Sequence, residues 1–201
     1  MKKGPTGEIR ITGGLLRGRR IGVPRKNELR PTQDRVREAV FNSIGPRLPG
    51  AKVLDLFAGT GALGLEAWSR GAGEVWWVER EPLLVAALEK NVRALCVDGG
   101  ATHCVQADAY SFLDQPPDAA RGFDVVLADP PYERDGEALQ KTLFALRAAP
   151  ILKASGLLVF EQAAAAKVPT VSEWRILRDR RYGSTRVLML VIEPESGREA
   201  E

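Results

Sequence analysis

The stretch VLDLFAGTGALGLEA, residues 53–67, decides the fold. Its first five residues are nearly all apolar, which predicts a buried strand, and the residues from Gly61 to Gly71 predict a helix. Between them the glycines have the spacing Gly59-x-Gly61-x-x-Gly64. Glycines at this spacing form a tight turn that lets a dinucleotide come close to the backbone. One strand, turn and helix of this kind predict a nucleotide-binding α/β protein.

Strand and helix patterns alternate along the rest of the chain. The predicted elements are helices at 30–45, at 135–147 and from Pro82 onward, strands at 74–79, 102–108, 123–129 and 156–162, and a terminal hairpin of strands 174–182 and 185–193. This alternation predicts a doubly wound, mostly parallel sheet, to which the hairpin adds an antiparallel edge. We predict a small basic N-terminal hairpin or arm (1–29), a main domain (30–195) and a frayed tail (196–201).

Composition excludes several classes of protein. The chain has 201 residues, of which 44% are hydrophobic and 27% are charged, as in ordinary globular proteins. No apolar run approaches the ~18 residues of a transmembrane helix, and no apolar segment follows the N-terminal lysines as in a signal peptide. Cys96 and Cys104 lack the spacing of a metal site or a disulfide framework. We therefore expect a cytoplasmic protein with no membrane contact and no metal.

Charge is distributed unevenly along the chain. Residues 1–50 contain 12 Lys and Arg against 4 Asp and Glu, a net charge of +8, whereas the remaining residues carry −5. A basic arm before a mildly acidic body suggests a polyanionic partner, and the alternative is a solvated, disordered tail. The apolar residues interleaved with arginine in ITGGLLRGRRIGVP (11–24) favour the first interpretation. The predicted anion contacts are Arg10, Arg17, Arg19, Arg20 and Arg37.

Acidic residues occur near the ends of several predicted strands. Glu79, Asp108 and Asp129 lie at or just after strand ends, which line one crevice in a parallel sheet, and Asp55 lies within the first strand. Glu79 follows Gly61 by 18 residues, where an acid binds the ribose hydroxyls of an adenosine. Asp108 is placed to meet the adenine amino group. NAD(P) is the alternative cofactor, but Asp55 would repel its pyrophosphate. S-adenosylmethionine, a cationic adenosine without phosphate, fits this crevice better.

The motifs resemble those of a known group of enzymes. VLDLFAGTGALGLEA, VE, QAD and DVVLADPPY occur in the order typical of class I S-adenosylmethionine-dependent methyltransferases that methylate amines, which have a Rossmann-like fold. ITGGLLRGRRI (11–21) followed by RPTQDRVREAVFNSI (30–44) resembles the bacterial RsmD family, which methylates guanine N2 in 16S ribosomal RNA. The resemblance covers residues 8–193, and RPTQDRVRE is its specific part, because the other motifs are shared by many methyltransferases.

The DPPY segment, residues 129–132, suits methylation of an amine. The exocyclic amine of guanine is a poor nucleophile until two acceptors on its N–H bonds favour tetrahedral geometry. Asp129 supplies one acceptor and the Pro130 carbonyl the other, because Pro131 holds Pro130 extended and neither proline adds a competing N–H. Tyr132 can stack on a flipped base. The four residues are the predicted catalytic group.

The resemblance implies a cofactor, a partner and a set of contacts. We expect S-adenosyl-L-methionine as cofactor and 16S ribosomal RNA as partner, within an assembled small-subunit particle and with the enzyme as a monomer. It also implies that the RPTQDRVRE segment packs near the cofactor, with Thr32 and Arg35 as contacts. The complete set of expected cofactor contacts is Thr32, Arg35, Asp55, Phe57, Gly59, Thr60, Gly61, Glu79, Asp108 and Ala109.

Three alternatives remain open at this point. A DNA or RNA adenine-N6 methyltransferase would use the same DPPY chemistry, although the DNA enzymes usually need a target-recognition domain for which 201 residues leave no room. An RNA-binding protein on a decayed methyltransferase fold is disfavoured by the intact Asp129 and the intact glycine turn. An NAD(P)-dependent oxidoreductase is disfavoured by the acid-lined crevice.

Overall fold

A computed structural model describes residues 7–24, 31–96, 101–131, 136–148, 151–170 and 172–193. Within these residues no helix combines the length and the apolar character that crossing a membrane requires. The strands are β1 (Gly7–Arg10), β2 (Arg20–Val23), β3 (Lys52–Leu56), β4 (Glu74–Glu79), β5 (Ala101–Gln106), β6 (Phe123–Ala128), β7 (Leu152–Ala163), β8 (Trp174–Tyr182) and β9 (Thr185–Ile192). The helices are α1 (Pro31–Ile44), α2 (Ala62–Ser69), α3 (Pro82–Leu95), α4 (Ala109–Asp114) and α5 (Glu137–Ala148), with a short 3₁₀ helix at Gly45–Arg47.

Seven of the strands form one sheet in the order β5-β4-β3-β6-β7-β9-β8. The first five pair in parallel, and β9 pairs antiparallel with β7 and with β8. The prediction of a doubly wound, mostly parallel sheet with an antiparallel C-terminal hairpin is confirmed. The chain runs outward from β3 in one direction and from β6 in the other, so the crevice between their carboxyl ends is where such a sheet binds ligands.

Two hydrophobic layers cover the two faces of the sheet. One layer joins α1, α2, α3 and the N-terminal hairpin to side chains such as Val53, Trp77 and Leu127. The other joins α4 and α5 to their sequence neighbours on the opposite face, such as Leu54 and Val126. The period of two along each strand produces this division, because successive side chains point to opposite faces. We refer to the two sides as the α1 face and the α4 face.

The N-terminal strands β1 and β2 form an antiparallel hairpin that packs on the α1 face. Ile11 and Ile21 are fully buried in the core. The backbone of Thr12 donates to Oε2 of Glu66 in α2 at 2.8 Å, and the backbone of Gly22 donates to Oδ1 of Asn91 in α3 at 3.1 Å. The described part of the basic segment is therefore an ordered layer of the molecule, while the predicted division at residue 29 stays a prediction.

The structure differs from the sequence prediction in three places. Helix α4 was not predicted, because its six residues are too few to show a helical period. Strand β7 begins at Leu152, four residues before the predicted strand. Its first part pairs only irregularly with β6. Helix α1 runs from Pro31 to Ile44, one residue shorter at each end than the predicted 30–45, in keeping with the preference of proline for the first turn of a helix.

Candidate active site

The turn after β3 has a constrained backbone. Phe57 has a φ of 60°, the only positive φ of a non-glycine residue in the described ranges, and Gly59 and Gly61 follow with φ of 57° and 88°. Gly61 then serves as the N-cap residue of α2. A bulky residue in the left-handed region costs about 1–3 kcal/mol, and such residues concentrate at ligand sites. The ring of Phe57 packs edge-on against Tyr110, with their centroids 5.6 Å apart.

The three glycines of the turn have different roles. A Cβ at Gly64 would lie 2.1 Å from Nε1 of Trp77, and one at Gly61 would lie 2.5 Å from Cδ1 of Leu88. These two glycines therefore permit close packing of α2 on β4 and α3, because neither position has room for a side chain. A Cβ at Gly59 would meet nothing within 4 Å, and Gly59 alone of the three borders the crevice.

Asp55 lies directly under the turn and is 1% exposed. Its Oδ2 accepts a hydrogen bond of 2.8 Å from the backbone N–H of Gly64, which caps the first turn of α2 from below. Its Oδ1 is buried without a hydrogen-bond partner. Burial raises the pKa of Asp55 to about 8, so the carboxyl is protonated at neutral pH. The charge that would repel a pyrophosphate is therefore largely absent near neutral pH.

Glu79, at the end of β4, is held in place by the backbone. Its Oε2 accepts from the N–H of Gly59 and its Oε1 from the N–H of Glu81, both at 2.8 Å. The carboxylate is buried but borders the crevice. Each carboxylate oxygen can accept a second hydrogen bond, so both remain able to bind hydroxyl groups.

Asp108 caps the helix that the sequence did not predict. Its Oδ1 accepts from the backbone N–H groups of Tyr110 and Ser111, at 3.0 and 3.1 Å. This is the usual role of an aspartate at an N-cap, and it leaves Oδ2 without a hydrogen bond to a described residue. Ala109, directly after it, is buried on the crevice wall.

These residues enclose one cavity of about 660 Å³ at the carboxyl ends of β3, β4 and β6. Among the residues lining it are Phe57, Gly59, Glu79, Asp108, Ala109 and Asp129. Its volume is within the range of sites for nucleotide-sized molecules. Two carboxylates with free acceptor capacity and a glycine without a Cβ fit an adenosine that carries hydroxyl and amino groups. Thr60 and Gly61 are buried behind this wall, so the structure does not bring them onto the cavity surface.

Asp129 follows β6 directly and lines the same cavity, as do Pro130 and Pro131. The side chain is half-buried and forms no salt bridge or hydrogen bond with any residue in the described part of the chain. Burial raises the pKa of Asp129 to about 6. Tyr132 lies outside the described residues, so its role stays a prediction. Asp129 thus stands where a substrate group can meet the cofactor cavity.

Glu161 is a further acidic residue of this region that sequence reasoning missed. It lies in β7, one residue after Phe160, which pairs with Ala128 of β6, so Glu161 is beside Asp129. Burial and the neighbouring Asp129 charge raise the pKa of Glu161 to about 8. The signal in the sequence was an acid inside the apolar run GLLVFEQ (156–162), which a strand on the surface would explain equally well.

The RPTQDRVRE segment lies next to the N-terminal hairpin. Arg35 is exposed and lines a second cavity of about 450 Å³, whose wall also includes Arg10, Arg17 and Arg20. This cavity shares no lining residue with the first, so the structure does not place Arg35 on the wall of the cofactor cavity. Thr32 lies in the first turn of α1, and its expected contact with the cofactor stays a prediction.

The predicted anion contacts divide into two groups. Arg10, Arg17, Arg19 and Arg20 are exposed on the hairpin, and Arg20 pairs with Glu8. Arg37 instead is 5% exposed, with Nη2 donating to the carbonyl of Arg10 at 2.6 Å and to Oδ1 of Asp34 at 2.8 Å. A phosphate outside the protein cannot reach a guanidinium that is enclosed in this way, so we assign Arg37 to the junction between the hairpin and α1.

Comparison with known proteins identifies the family. Residues 9–191 match the family described as "Conserved hypothetical protein 95". The chain is 38% identical to "Ribosomal RNA small subunit methyltransferase D" of Escherichia coli K12, over 89% of this chain and 87% of that protein. It is 34% identical to the protein of the same name from Haemophilus influenzae, over 88% and 90% of the two chains.

A solved structure agrees with the sequence comparison. The "putative methyltransferase yhhF from Escherichia coli" superposes with a TM-score of 0.82 and 36% identity, covering 93% of this chain and 99% of that one. The matched residues include the hairpin, the glycine turn and the DPP segment, so the predicted resemblance is confirmed over nearly the whole chain. The chain belongs to the RsmD family of ribosomal RNA small subunit methyltransferases.

Proposed function

We propose that this protein transfers a methyl group from S-adenosylmethionine to the exocyclic N2 amine of a guanine in small-subunit ribosomal RNA. The observation that carries the proposal is the position of Asp129. It lies on the wall of the same cavity as Glu79 and Asp108, the two carboxylates that fit an adenosine. One cavity therefore offers a nucleoside-binding part and, directly beside it, an acceptor for an amine.

The cofactor supplies a methyl group on a sulfonium, and the chain supplies orientation and charge. Glu79 would bind the ribose hydroxyls, and Asp108 would accept from the adenine amino group. Asp129 accepts a hydrogen bond from the target amine, and the carbonyl oxygen of Pro130 is the second acceptor in this scheme. These two acceptors hold the amine in position to attack the methyl group. Holding two reactants in the reactive geometry lowers the barrier, because the reaction becomes effectively unimolecular. A carboxylate oxygen of Asp129 can then take the proton that the methylated amine releases.

The electrostatics of the crevice link Asp129 to its neighbour Glu161. Burial raises the pKa of both carboxyls, and the charge of Asp129 raises the pKa of Glu161 further. Because ionisation of one carboxyl opposes ionisation of the other, the two titrate as a pair. The pair therefore carries less than its full negative charge near neutral pH.

The hairpin supports RNA as the substrate. Arg10, Arg17, Arg19 and Arg20 are exposed on an ordered element, where they can contact phosphates without taking part in the chemistry. The homologues are named for methylation of small-subunit ribosomal RNA, in agreement with this surface. Action on an assembled particle, a monomeric state and a cytoplasmic location stay predictions.

Calorimetric titration tests the cofactor, and mapping of the methyl group tests the substrate. We expect S-adenosylmethionine and S-adenosylhomocysteine to bind and NADH not to bind. Saturable NADH binding without S-adenosylhomocysteine binding would overturn the methyltransferase proposal. In ribosomal RNA from cells that lack the protein, one guanine N2 methyl group should be missing, and the purified enzyme should restore it. A missing methyl group on adenine N6 would instead favour the alternative enzyme.

A further inference from the structure

Strand β8 is an exposed, strongly basic edge of the sheet. Its sequence WRILRDRRY contains four arginines and one aspartate, and every residue from Arg175 to Arg181 is exposed. The strand pairs only with β9, so its other edge has no partner among the described strands. No sequence motif pointed to this strand, and its charge lies far along the chain from the basic N-terminal segment.

A β-bulge in this strand places three of the arginines on one face. Arg175 pairs with Val191, and the register shifts between Ile176 and Arg178, so that Arg178 pairs with Met189 and Arg180 with Val187. The three β9 partners all belong to the hydrophobic layer of the α1 face. Because paired residues project from the same face of a sheet, all three arginines project there as well. In a regular strand Arg175 and Arg178 would point to opposite faces.

This row of arginines reaches the edge of the sheet that carries the active site. β8 runs parallel to β6 and β7, since both β7 and β8 pair antiparallel with β9. Val187 pairs with Arg180 on one side and with Glu161 on the other, and Glu161 lies beside Asp129. Arg180 is thus three strands from Asp129, about 14 Å at a spacing of ~4.8 Å per strand.

The two faces of β8 differ in their ion pairs. On the α4 face, Arg186 of β9 donates to Asp179 with an Nε to Oδ1 distance of 2.8 Å. On the α1 face, Arg175, Arg178 and Arg180 form no salt bridge with any carboxylate in the described part of the chain. Charge on an edge strand also prevents aggregation, but that role does not require the charges to share one face. Three exposed guanidinium groups on one face, none of them in a salt bridge with a described residue, fit a partner that carries several anions.

We propose that Arg175, Arg178 and Arg180 form a second phosphate-contacting surface for the substrate RNA, an inference that rests on the proposed function. Helix α1 contacts the hairpin through Arg37 and contacts β9, the neighbour of β8, through Ser43. The RNA backbone would therefore be held at two places, one on the hairpin and one on β8. Arginine suits this role because its planar guanidinium binds phosphate oxygens through two N–H groups. Two separated contacts also fix the register of the RNA on the enzyme, which a single basic arm cannot do.

Two neighbouring arginines provide a matched test. Arg180→Ala and Arg181→Ala each remove one exposed charge from the same strand, one residue apart, but from opposite faces. Binding of each variant to small-subunit particles from cells that lack the enzyme is measured as a function of salt. Each lost phosphate contact should reduce the slope of log affinity against log salt by about 0.7. We expect this change for Arg180→Ala, about twice this change for Arg178→Ala/Arg180→Ala, and parent-like binding for Arg181→Ala. Affinity for S-adenosylhomocysteine should be the same in all of them.

The outcomes separate this inference from the proposed function. If the parent protein methylates neither the particles nor the naked small-subunit RNA, the proposed function fails and the inference falls with it. If it methylates only the naked RNA, the same salt titrations are made with that RNA. If the parent methylates them and Arg180→Ala binds like the parent at every salt concentration, the β8 surface is not an RNA contact and the proposed function stands. Equal weakening by Arg180→Ala and Arg181→Ala would show an effect of net charge alone and would also overturn the inference.

Discussion

Two regions of this molecule bury carboxylates, and they do so in opposite ways. At the junction between the hairpin and α2, Glu66 is 0% exposed and every oxygen has partners: Oε1 accepts from Arg70 at 2.9 Å and from Thr12 Oγ1 at 2.6 Å, and Oε2 accepts from the Thr12 N–H at 2.8 Å. Under the glycine turn beside the crevice, Asp55 keeps one oxygen without a partner. No lysine or arginine lies within salt-bridge distance of Asp55 or Asp129 in the described part of the chain.

The difference shows how to separate structural acids from functional ones. Glu66 also lies 3.6 Å from Nε of Arg37, so this buried carboxylate has two arginines and two further donors as partners. Removing it would leave two buried or partly buried cations without their partner, which is costly. A buried carboxylate without a cation is a cost to stability, and a fold retains such a cost mainly where a ligand offsets it. If the contrast holds, replacing the satisfied acid should destabilise the fold, whereas replacing a crevice acid should change the activity or the pH dependence of stability.

Replacing Glu66 should have the largest effect. Glu66→Gln keeps the shape of the side chain but leaves the charges of Arg37 and Arg70 without their buried partner. Loss of one member of a buried ion pair costs about 3–5 kcal/mol, so we expect the free energy of unfolding to fall by at least ~3 kcal/mol. Urea denaturation measures it. The exposed Glu38→Gln is the control and should change stability by less than about 0.5 kcal/mol. Equal values for the two variants would contradict the structural role of Glu66.

Asp129→Ala should leave the fold and the affinity for S-adenosylhomocysteine intact but lower the rate of methyl transfer. A hydrogen bond to a charged group contributes ~1.5–3 kcal/mol, which corresponds to a loss of at least about 10-fold to 100-fold. A tritiated-methyl assay measures the rate. Asp124→Ala is a matched control, because Asp124 lies at the other end of the same strand and pairs with Lys153 at 2.7 Å. Near-normal turnover of Asp129→Ala would mean that the DPP segment is not the amine-binding site.

The pH dependence of stability should distinguish the two regions. The folded protein holds the Glu161 proton up to a pKa of about 8, compared with an ordinary value of 4.5, so between these pH values the folded state binds more protons than the unfolded state. The free energy of unfolding therefore falls as pH rises through this window, by up to ~1.4 kcal/mol per pH unit for one group.

Glu161→Gln removes this titration. We expect the variant to gain stability relative to the parent by more than about 1 kcal/mol between pH 6 and pH 8, measured by urea denaturation at each pH. Glu66→Gln, by contrast, should be less stable than the parent at both pH values. A constant difference between Glu161→Gln and the parent across this range would show that Glu161 is ionised in the folded protein.

The hairpin arginines should give the smallest effect, because exposed charges are screened by salt. Arg17→Ala/Arg19→Ala/Arg20→Ala should keep the parent affinity for S-adenosylhomocysteine, weaken RNA binding and flatten its salt dependence by roughly two units if all three contact phosphates. Arg93→Ala/Arg121→Ala, on other exposed surfaces, is the charge control. Parent-like RNA binding by the triple variant at every salt concentration would exclude the hairpin as a binding surface.

The sequence predicted the acids that line the crevice better than it predicted Glu161 and the surroundings of Arg37. It placed Glu79, Asp108 and Asp129 in one crevice, because acids at the carboxyl ends of parallel strands must meet at one edge. It missed Glu161, because a single acid in an apolar strand carries no sign of which strand lies beside it. It also grouped Arg37 with the exposed arginines. An arginine in a basic segment gives no local sign that it is buried against Glu66, 29 positions further along the chain.

The sequence by itself determined the order of elements, the doubly wound sheet, the glycine turn and the family. These depend on local periodicity, turn residues and short motifs, all of which are readable within a window of a few residues. Only the tertiary structure decided that Gly61 and Gly64 serve packing, that Asp55 lacks a partner, and that the bulge in β8 brings Arg175 and Arg178 to one face. These features depend on strand register and on contacts between distant segments. A one-residue shift in pairing reverses the face of a side chain without changing the local pattern.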